Sequence, residues 1–137
     1  LFFVYLGKKQ SSREGIKYYR ERVKNYHDQI LKISQLTRAF ANAQDIQELE
    51  MVIEEHESVI SNSLNVPRIQ DLYFPDFWGQ IKSLGAWGGD FILVTSERSY
   101  EETFEYFECR GLDVVIPYTD MISVTPNNTF YRHAPLQ

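Results

Sequence analysis

The sequence predicts an α+β fold, with a four-stranded antiparallel sheet in the split βαβ arrangement of ferredoxin-like domains. Three observations predict it. An apolar run opens the chain at 1–6, and helical periodicity dominates the residues from 12 to 72. The rest reads as two short β-rich runs, a helix and a last β-rich run. The order β, helices, β, β, α, β fits this arrangement if the helices form one long first crossover and cover one face of the sheet.

The first crossover contains three predicted helices. The first spans 12–25, where Ser11 and Glu14 have the spacing of a capping box, and the second spans 27–42. The third begins at a second box, Asp45 to Glu48, and has the clearest apolar stripe in the chain. The stripe consists of Leu49, Val52, Ile53, His56, Val59 and Ile60, while Glu50, Glu54, Glu55 and Glu57 lie largely off it.

Asn62, Asn65 and Pro67 predict the end of this third helix, and a short helix follows near residues 69–72. The runs 80–84 and 90–95 form a hairpin around a glycine-rich turn.

A third capping box begins a helix at Ser99 that ends at Gly111, and Pro117 closes the strand 114–116. One domain over 1–118 is therefore expected, with 119–137 as an extension whose end is mobile.

Composition excludes several classes of function. The net charge is −5 among 137 residues, so the surface repels phosphate backbones and nucleic acid is not an expected partner. No apolar run reaches the roughly 20 residues that cross a bilayer, so no membrane is expected. Cys109 is the single cysteine, which rules out an internal disulfide and favours a reducing compartment, hence the cytoplasm.

Glycine is concentrated in the hairpin turn. Four of the seven glycines lie between residues 79 and 89. One interpretation is a turn that needs positive φ; the other is a backbone that must come close to a ligand, as in loops that bind phosphate.

Residues 82–94, KSLGAWGGDFILV, resemble the third motif of the GHMP kinases, the family of galactokinase, homoserine kinase, mevalonate kinase and phosphomevalonate kinase. In that family the stretch reads Lys, a variable pair, Gly-Ala-Gly-Gly-Gly-Gly and an apolar strand. The pair Glu55-His56 and the segment 64–72, LNVPRIQDL, are similar to the family's preceding helix and its continuation. Together with the opening strand and its serine-containing loop, the resemblance covers most of residues 1–118.

The resemblance implies the C-terminal domain of a kinase that phosphorylates a small metabolite, an isoprenoid precursor or a sugar. The family's phosphate loop, catalytic carboxylate and basic residue belong to an N-terminal domain and are not among these residues. The resemblance therefore assigns no catalytic residue and no metal ligand here, and it implies that the chain alone is inactive. ATP and Mg²⁺ would be held mainly by that N-terminal domain, which is the expected partner besides the substrate.

The substrate and phosphate side of the domain would be formed by Gly85, Ala86, Trp87, Gly88, Gly89 and Asp90. Trp87 and Asp90 depart from the family, which has glycine at both positions; an indole narrows the approach, and a carboxylate repels phosphate. The second choice for substrate contact is Ser11, Ser12 and Arg13, at a helix N-terminus that favours anions.

The alternative function is a non-catalytic ferredoxin-like module that binds a ligand or forms oligomers, including a homodimer, through its sheet. A glycine–serine phosphate loop encoded upstream of Leu1 would favour the kinase.

Two further features have competing interpretations. His56 is expected to pack in the core, since no second ligand stands at metal-binding spacing. Tyr73, Phe74, Phe77 and Trp78 form either core or the aromatic wall of a pocket.

Overall fold

The sheet has four antiparallel strands in the order β2-β3-β1-β4. In the computed structural model, which describes residues 1–8, 11–24, 26–85, 87 and 89–122, the strands are β1 (Phe2–Tyr5), β2 (Ile81–Ser83), β3 (Phe91–Val94) and β4 (Val115–Pro117). This order, with every neighbouring pair antiparallel, matches the predicted α+β arrangement and is compatible with a ferredoxin-like fold.

Six helices occur among the described residues. They are α1 (Ser12–Arg22), α2 (Tyr26–Asn42), α3 (Ile46–Leu64), α4 (Ile69–Tyr73), α5 (Tyr100–Glu108) and α6 (Tyr118–Met121). The helix α1 ends earlier than predicted because Val23 turns extended, with ψ 114°, and becomes buried. The short α6 was not predicted. It begins the expected extension, while the predicted mobile end over 123–137 lies outside the described residues.

The core lies on the face of the sheet that carries Val4. This residue is fully buried and pairs with Ile92 and Val115 on the two neighbouring strands. Phe107 of α5, also fully buried, belongs to the same cluster. The rest of the cluster comes from the strands, α4 and the segment after it: Ile69, Phe74, Phe77, Ile81 and Val94.

Helices do not cover only one face of the sheet, so this expectation is wrong. Phe3 and Val4 are consecutive strand residues and point to opposite faces. The ring of Tyr118, the first residue of α6, stacks on Phe3 with centroids 5.7 Å apart. The pairing of β4 with β1 brings the start of α6 beside Phe3, so α6 packs against the face opposite the core.

The three predicted capping boxes differ in outcome. Ser99 and Glu102 form the complete reciprocal pair at the start of α5. Asp45 accepts a hydrogen bond from the Glu48 N–H, but the Glu48 carboxylate accepts from the N–H of Gln44. Ser11 is the N-cap residue of α1, yet its side chain makes no cap hydrogen bond, so the box predicted there is wrong.

The aromatic segment before β2 belongs mainly to the core, as one of its two interpretations predicted. Phe74 and Phe77 are buried and their rings contact Phe107. Trp78 is partly buried, and its Nε1–H donates to Ser96 Oγ at 2.8 Å. Only Tyr73 is largely exposed.

No helix in the described part of the chain is both long and apolar enough to cross a membrane.

Candidate functional site

A cavity of about 730 Å³ lies where α1, the C-terminal half of α3 and the end of β2 meet. Its apolar wall includes Ile16, Tyr19, Ile60, Leu64, Val66 and Trp87. Its polar groups include Ser12, Glu14, His56, Lys82 and Ser83. A largely apolar wall with a few polar groups is typical of a site for a small organic molecule.

A charge cluster, composed of His56, Glu57 and Lys82, stands where β2 borders this cavity. The Lys82 ammonium lies 3.6 Å from Glu57 Oε1 and 3.5 Å from His56 Nδ1. Its nearest acceptor is the Ser83 carbonyl oxygen at 3.3 Å. All three distances exceed the usual 2.7–3.2 Å range of N–H···O bonds. The ammonium is therefore held in place without a short hydrogen bond from the described residues.

Glu57 is the buried member of the cluster. Its side chain is 2% exposed, against 18% for His56 and 19% for Lys82. Oε2 accepts the backbone N–H of Ser83 at 3.1 Å, while Oε1 has no hydrogen-bond partner among the described residues. A buried carboxylate is costly unless it is paired, so the Lys82 ammonium beside it compensates its charge.

The burial of Glu57 contradicts its expected position off the apolar stripe. The sequence does contain a signal for it. Glu57 stands four residues after Ile53 and three before Ile60, and Leu64 extends the same row by four more. Side chains at these spacings share one face of a helix, and here that face meets the edge of the sheet. The spacing of the apolar residues placed His56 on the stripe and Glu57 off it, whereas in the folded chain Glu57 is the more deeply buried of the two.

Two side chains close the outer edge of β2. Glu57 accepts the N–H of Ser83, and Gln70 of α4 accepts the N–H of Ile81 at 3.0 Å. The amide nitrogen of Gln70 donates in turn to the Gly79 carbonyl oxygen at 2.8 Å. Because an open edge would offer these groups to another chain, α3 and α4 both position β2 and protect it.

Among the described residues of the glycine-rich loop, two have left-handed backbone. Gly85 has φ 66° and Trp87 has φ 51°. The first conformation suits glycine, whereas a bulky residue with positive φ is an outlier. Trp87 lines the first cavity and also a second one of about 650 Å³, which Tyr73 and Leu72 of α4 border on another side.

Position 79 requires glycine for a structural reason that is separate from the loop. A Cβ added to Gly79 would lie 1.9 Å from the Thr95 carbonyl oxygen. No side chain fits there, so this glycine serves the close approach of two backbone segments and not a ligand.

The structure brings together only part of the predicted loop. Gly85 and Trp87 line the first cavity, Gly89 is buried, and Asp90 is exposed. Asp90 contributes its carbonyl oxygen, which accepts the N–H of Leu6 at 2.7 Å. Ala86 and Gly88 lie outside the described residues.

Of the three residues that were the second choice for substrate contact, only one lines the first cavity. Ser12 lines the first cavity, Arg13 lines a separate groove along α1, and Ser11 is exposed at the helix start. His56 is not a core histidine as expected, since it lines the cavity beside Lys82. The sequence marks Lys82 only as the first residue of the motif, because nothing in its local pattern indicates which helix it faces.

A metal site is not formed by the described part of the chain. No group of three or more His, Cys, Asp or Glu side chains is placed there to hold an ion. The exposed carboxylate of Asp90 does not by itself make a Mg²⁺ site.

Comparisons with protein-family models, with curated proteins and with solved structures each found no match to this chain.

Proposed function

We propose that this chain is the acceptor-substrate side of a GHMP-type kinase that phosphorylates a small metabolite. One observation carries the proposal: segments that separately resemble the family's motifs border one cavity. His56 comes from the helix of the Glu-His pair, and Gly85 and Trp87 come from the glycine-rich loop. Ser12, from the loop and helix that follow the opening strand, borders the same cavity.

In this proposal the chain positions the acceptor and closes one side of the cleft. Phosphoryl transfer depends on aligning the reacting groups and neutralising charge at the phosphates. The described residues offer a cavity for the acceptor but no cluster for Mg²⁺. As the resemblance implies, we assign no catalytic residue to this chain and propose that ATP and Mg²⁺ are held mainly by an N-terminal domain. With Cys109 as its single cysteine, the protein is proposed to act in the cytoplasm.

The second candidate is a non-catalytic module that binds a small ligand. The observation in its favour is that α1, α3 and β2 form the cavity wall within this one chain. Ligand binding here does not require phosphoryl transfer, so only turnover distinguishes the two functions.

The test is an ADP-release assay with MgATP on the natural polypeptide that contains residues 1–137. The acceptors are a panel of sugars and of mevalonate derivatives. We expect ADP release that depends on one acceptor, and none from the 137-residue chain alone. Ile60→Trp should raise KM or abolish turnover because the larger side chain fills the cavity. Ile30→Trp, on the exposed side of α2, is the matched control and should leave turnover unchanged.

Ligand binding without ADP release from any acceptor would reject the kinase and leave the non-catalytic module. Turnover by the chain alone would reject the assignment of the catalytic groups to another domain.

A further inference from the structure

We propose that Lys82 binds an anionic group, a carboxylate or a phosphate, of a metabolite whose apolar part packs against the wall of the first cavity. The inference rests on the proposed function in one respect: it gives the chemical class of the acceptor in the site described above.

The Lys82 ammonium makes no short hydrogen bond to the described residues. An ammonium group has three N–H donors. The acceptors around it lie at 3.3, 3.5 and 3.6 Å, and the side chain is 19% exposed on the cavity side of β2. An anion in the cavity would supply the short, charge-assisted bond of about 2.8 Å that the described residues do not supply.

Glu57 acts as a positioning residue for the Lys82 ammonium. A lysine at the border of an apolar cavity would be costly to keep charged without a partner. Glu57 balances the charge and fixes the ammonium, while its other oxygen is occupied by the Ser83 N–H. At 3.6 Å the two groups attract each other without closing a hydrogen bond, so Glu57 does not occupy an N–H donor of the ammonium.

The apolar wall of the cavity restricts the part of the ligand that does not contact Lys82. Ile60 and Leu64 of α3, together with Trp87, present apolar surface to the cavity. A polyhydroxylated sugar would leave hydroxyl groups without partners where it packs against these apolar side chains, which is unfavourable. An acid or phosphate ester with a short branched hydrocarbon part matches both the wall and the ammonium. Of the two substrate classes considered, the geometry favours this one over sugars.

The test measures binding to the 137-residue chain by isothermal titration calorimetry, without nucleotide. Three probes share one hydrocarbon part: 3-methylbutanoate, its primary amide, and 3-methylbutyl phosphate. We expect at least one of the two anions to bind about tenfold or more tightly than the amide, as for a hydrogen bond to a charged group. Separate titrations of the carboxylate and the phosphate ester establish which anion the site takes.

Lys82→Met keeps most of the apolar stem and removes the charge, so it should abolish the preference for the anions. The matched control is Lys32→Met on α2, where the lysine pairs with Glu55 away from the cavity and should leave the preference intact.

Glu57→Gln tests the positioning role. The amide oxygen can still accept the Ser83 N–H, but the negative charge that holds the ammonium is gone, so the anions should bind several-fold more weakly while the affinity for the neutral amide stays the same. A purely structural role for the pair would weaken the binding of the amide as much as that of the anions, or change neither. Thermal melts establish that each variant is folded.

Equal affinity for acid and amide, no binding of any probe, or a preference that survives Lys82→Met would overturn the inference and leave the kinase proposal to its own assay. Anion binding that depends on Lys82, with no acceptor-dependent ADP release from the natural polypeptide, would uphold this site and reject the kinase.

Discussion

At the scale of single residues, Trp87 combines a strained backbone with a place in the wall of two cavities. An L-residue in the left-handed region costs roughly 1–2 kcal/mol relative to right-handed backbone. The family that the loop resembles has glycine at this position, which the φ of 51° would accommodate without strain. Tryptophan therefore occupies this position although its backbone conformation is unfavourable there. We attribute its presence to the surface that the indole contributes to both cavities.

The strain predicts an order of stability between two truncations. Trp87→Gly and Trp87→Ala both remove the indole, but only alanine keeps a Cβ at positive φ. The glycine variant should be more stable by about 1 kcal/mol in urea denaturation.

Trp78 provides the matched pair, since its φ is not positive. There Trp78→Ala should be at least as stable as Trp78→Gly. An alanine variant at position 87 that equals or exceeds the glycine variant would show that the backbone is not strained in solution.

At the scale of elements, β2 depends on the side chains that close its outer edge. It has only three residues, and β3 is its one neighbour in the sheet. Gln70 holds both the Ile81 N–H and the Gly79 carbonyl oxygen, and thereby fixes the start of the strand. The cavity depends on the same strand because Lys82 follows Ile81 directly.

Gln70→Ala should lower the free energy of unfolding by about 1–3 kcal/mol because it leaves two partly buried backbone groups without partners. It should also increase self-association, since the edge of β2 is opened. Urea denaturation and sedimentation velocity measure the two effects. Gln47→Ala, which removes one exposed hydrogen bond to Glu97, is the control and should change stability by less than about 0.5 kcal/mol. Equal effects at the two positions would contradict the role given to Gln70.

At the scale of the whole molecule, Asp76 connects the segment before β2 to α5. Its carboxylate accepts a hydrogen bond from the Tyr106 hydroxyl at 2.6 Å, and both of its oxygens accept from Nη2 of Arg110, at 3.1 and 2.9 Å. The Tyr106 hydrogen bond and the Arg110 charge lower the pKa of Asp76, although burial acts in the opposite direction. Burial, followed by the bond to Asp76, raises the pKa of the Tyr106 hydroxyl.

A lowered pKa in the folded state predicts the acid side of the stability profile. The stabilisation by Asp76 is present above the unfolded pKa of 3.8 and is lost as the pH falls through the lower folded value. The urea midpoint of the wild type should therefore exceed that of Asp76→Asn at about pH 7, and the difference should shrink as the pH falls below 3.8.

The exposed Asp113, for which the described residues offer no hydrogen bond or ion pair, gives the control Asp113→Asn. Asp71 also has a lowered pKa, caused by its hydrogen bond with Arg68. The wild type and both variants contain this pair, so its contribution cancels when their urea midpoints are compared. A wild-type advantage that persists unchanged at low pH would contradict the prediction.

The elements followed from local signals. The Ser99–Glu102 box, the left-handed Asn65 after α3 and the β-rich run at 91–94 each act within a few residues, so the sequence predicts them directly. Their order was enough to predict the sheet, because short connections and antiparallel pairing leave few arrangements for β, helices, β, β, α, β.

The composition of the site was decided by the tertiary structure. His56 and Lys82 stand 26 positions apart, and no local pattern indicates that α3 crosses the end of β2. The same crossing buries Glu57, and the pairing of β4 with β1 brings Tyr118 onto Phe3. Sequence alone therefore determined most of the secondary structure and the fold class, since these depend largely on periodicity and capping. Which charged side chains share a cavity depends on contacts between distant segments, and only the folded chain contains them.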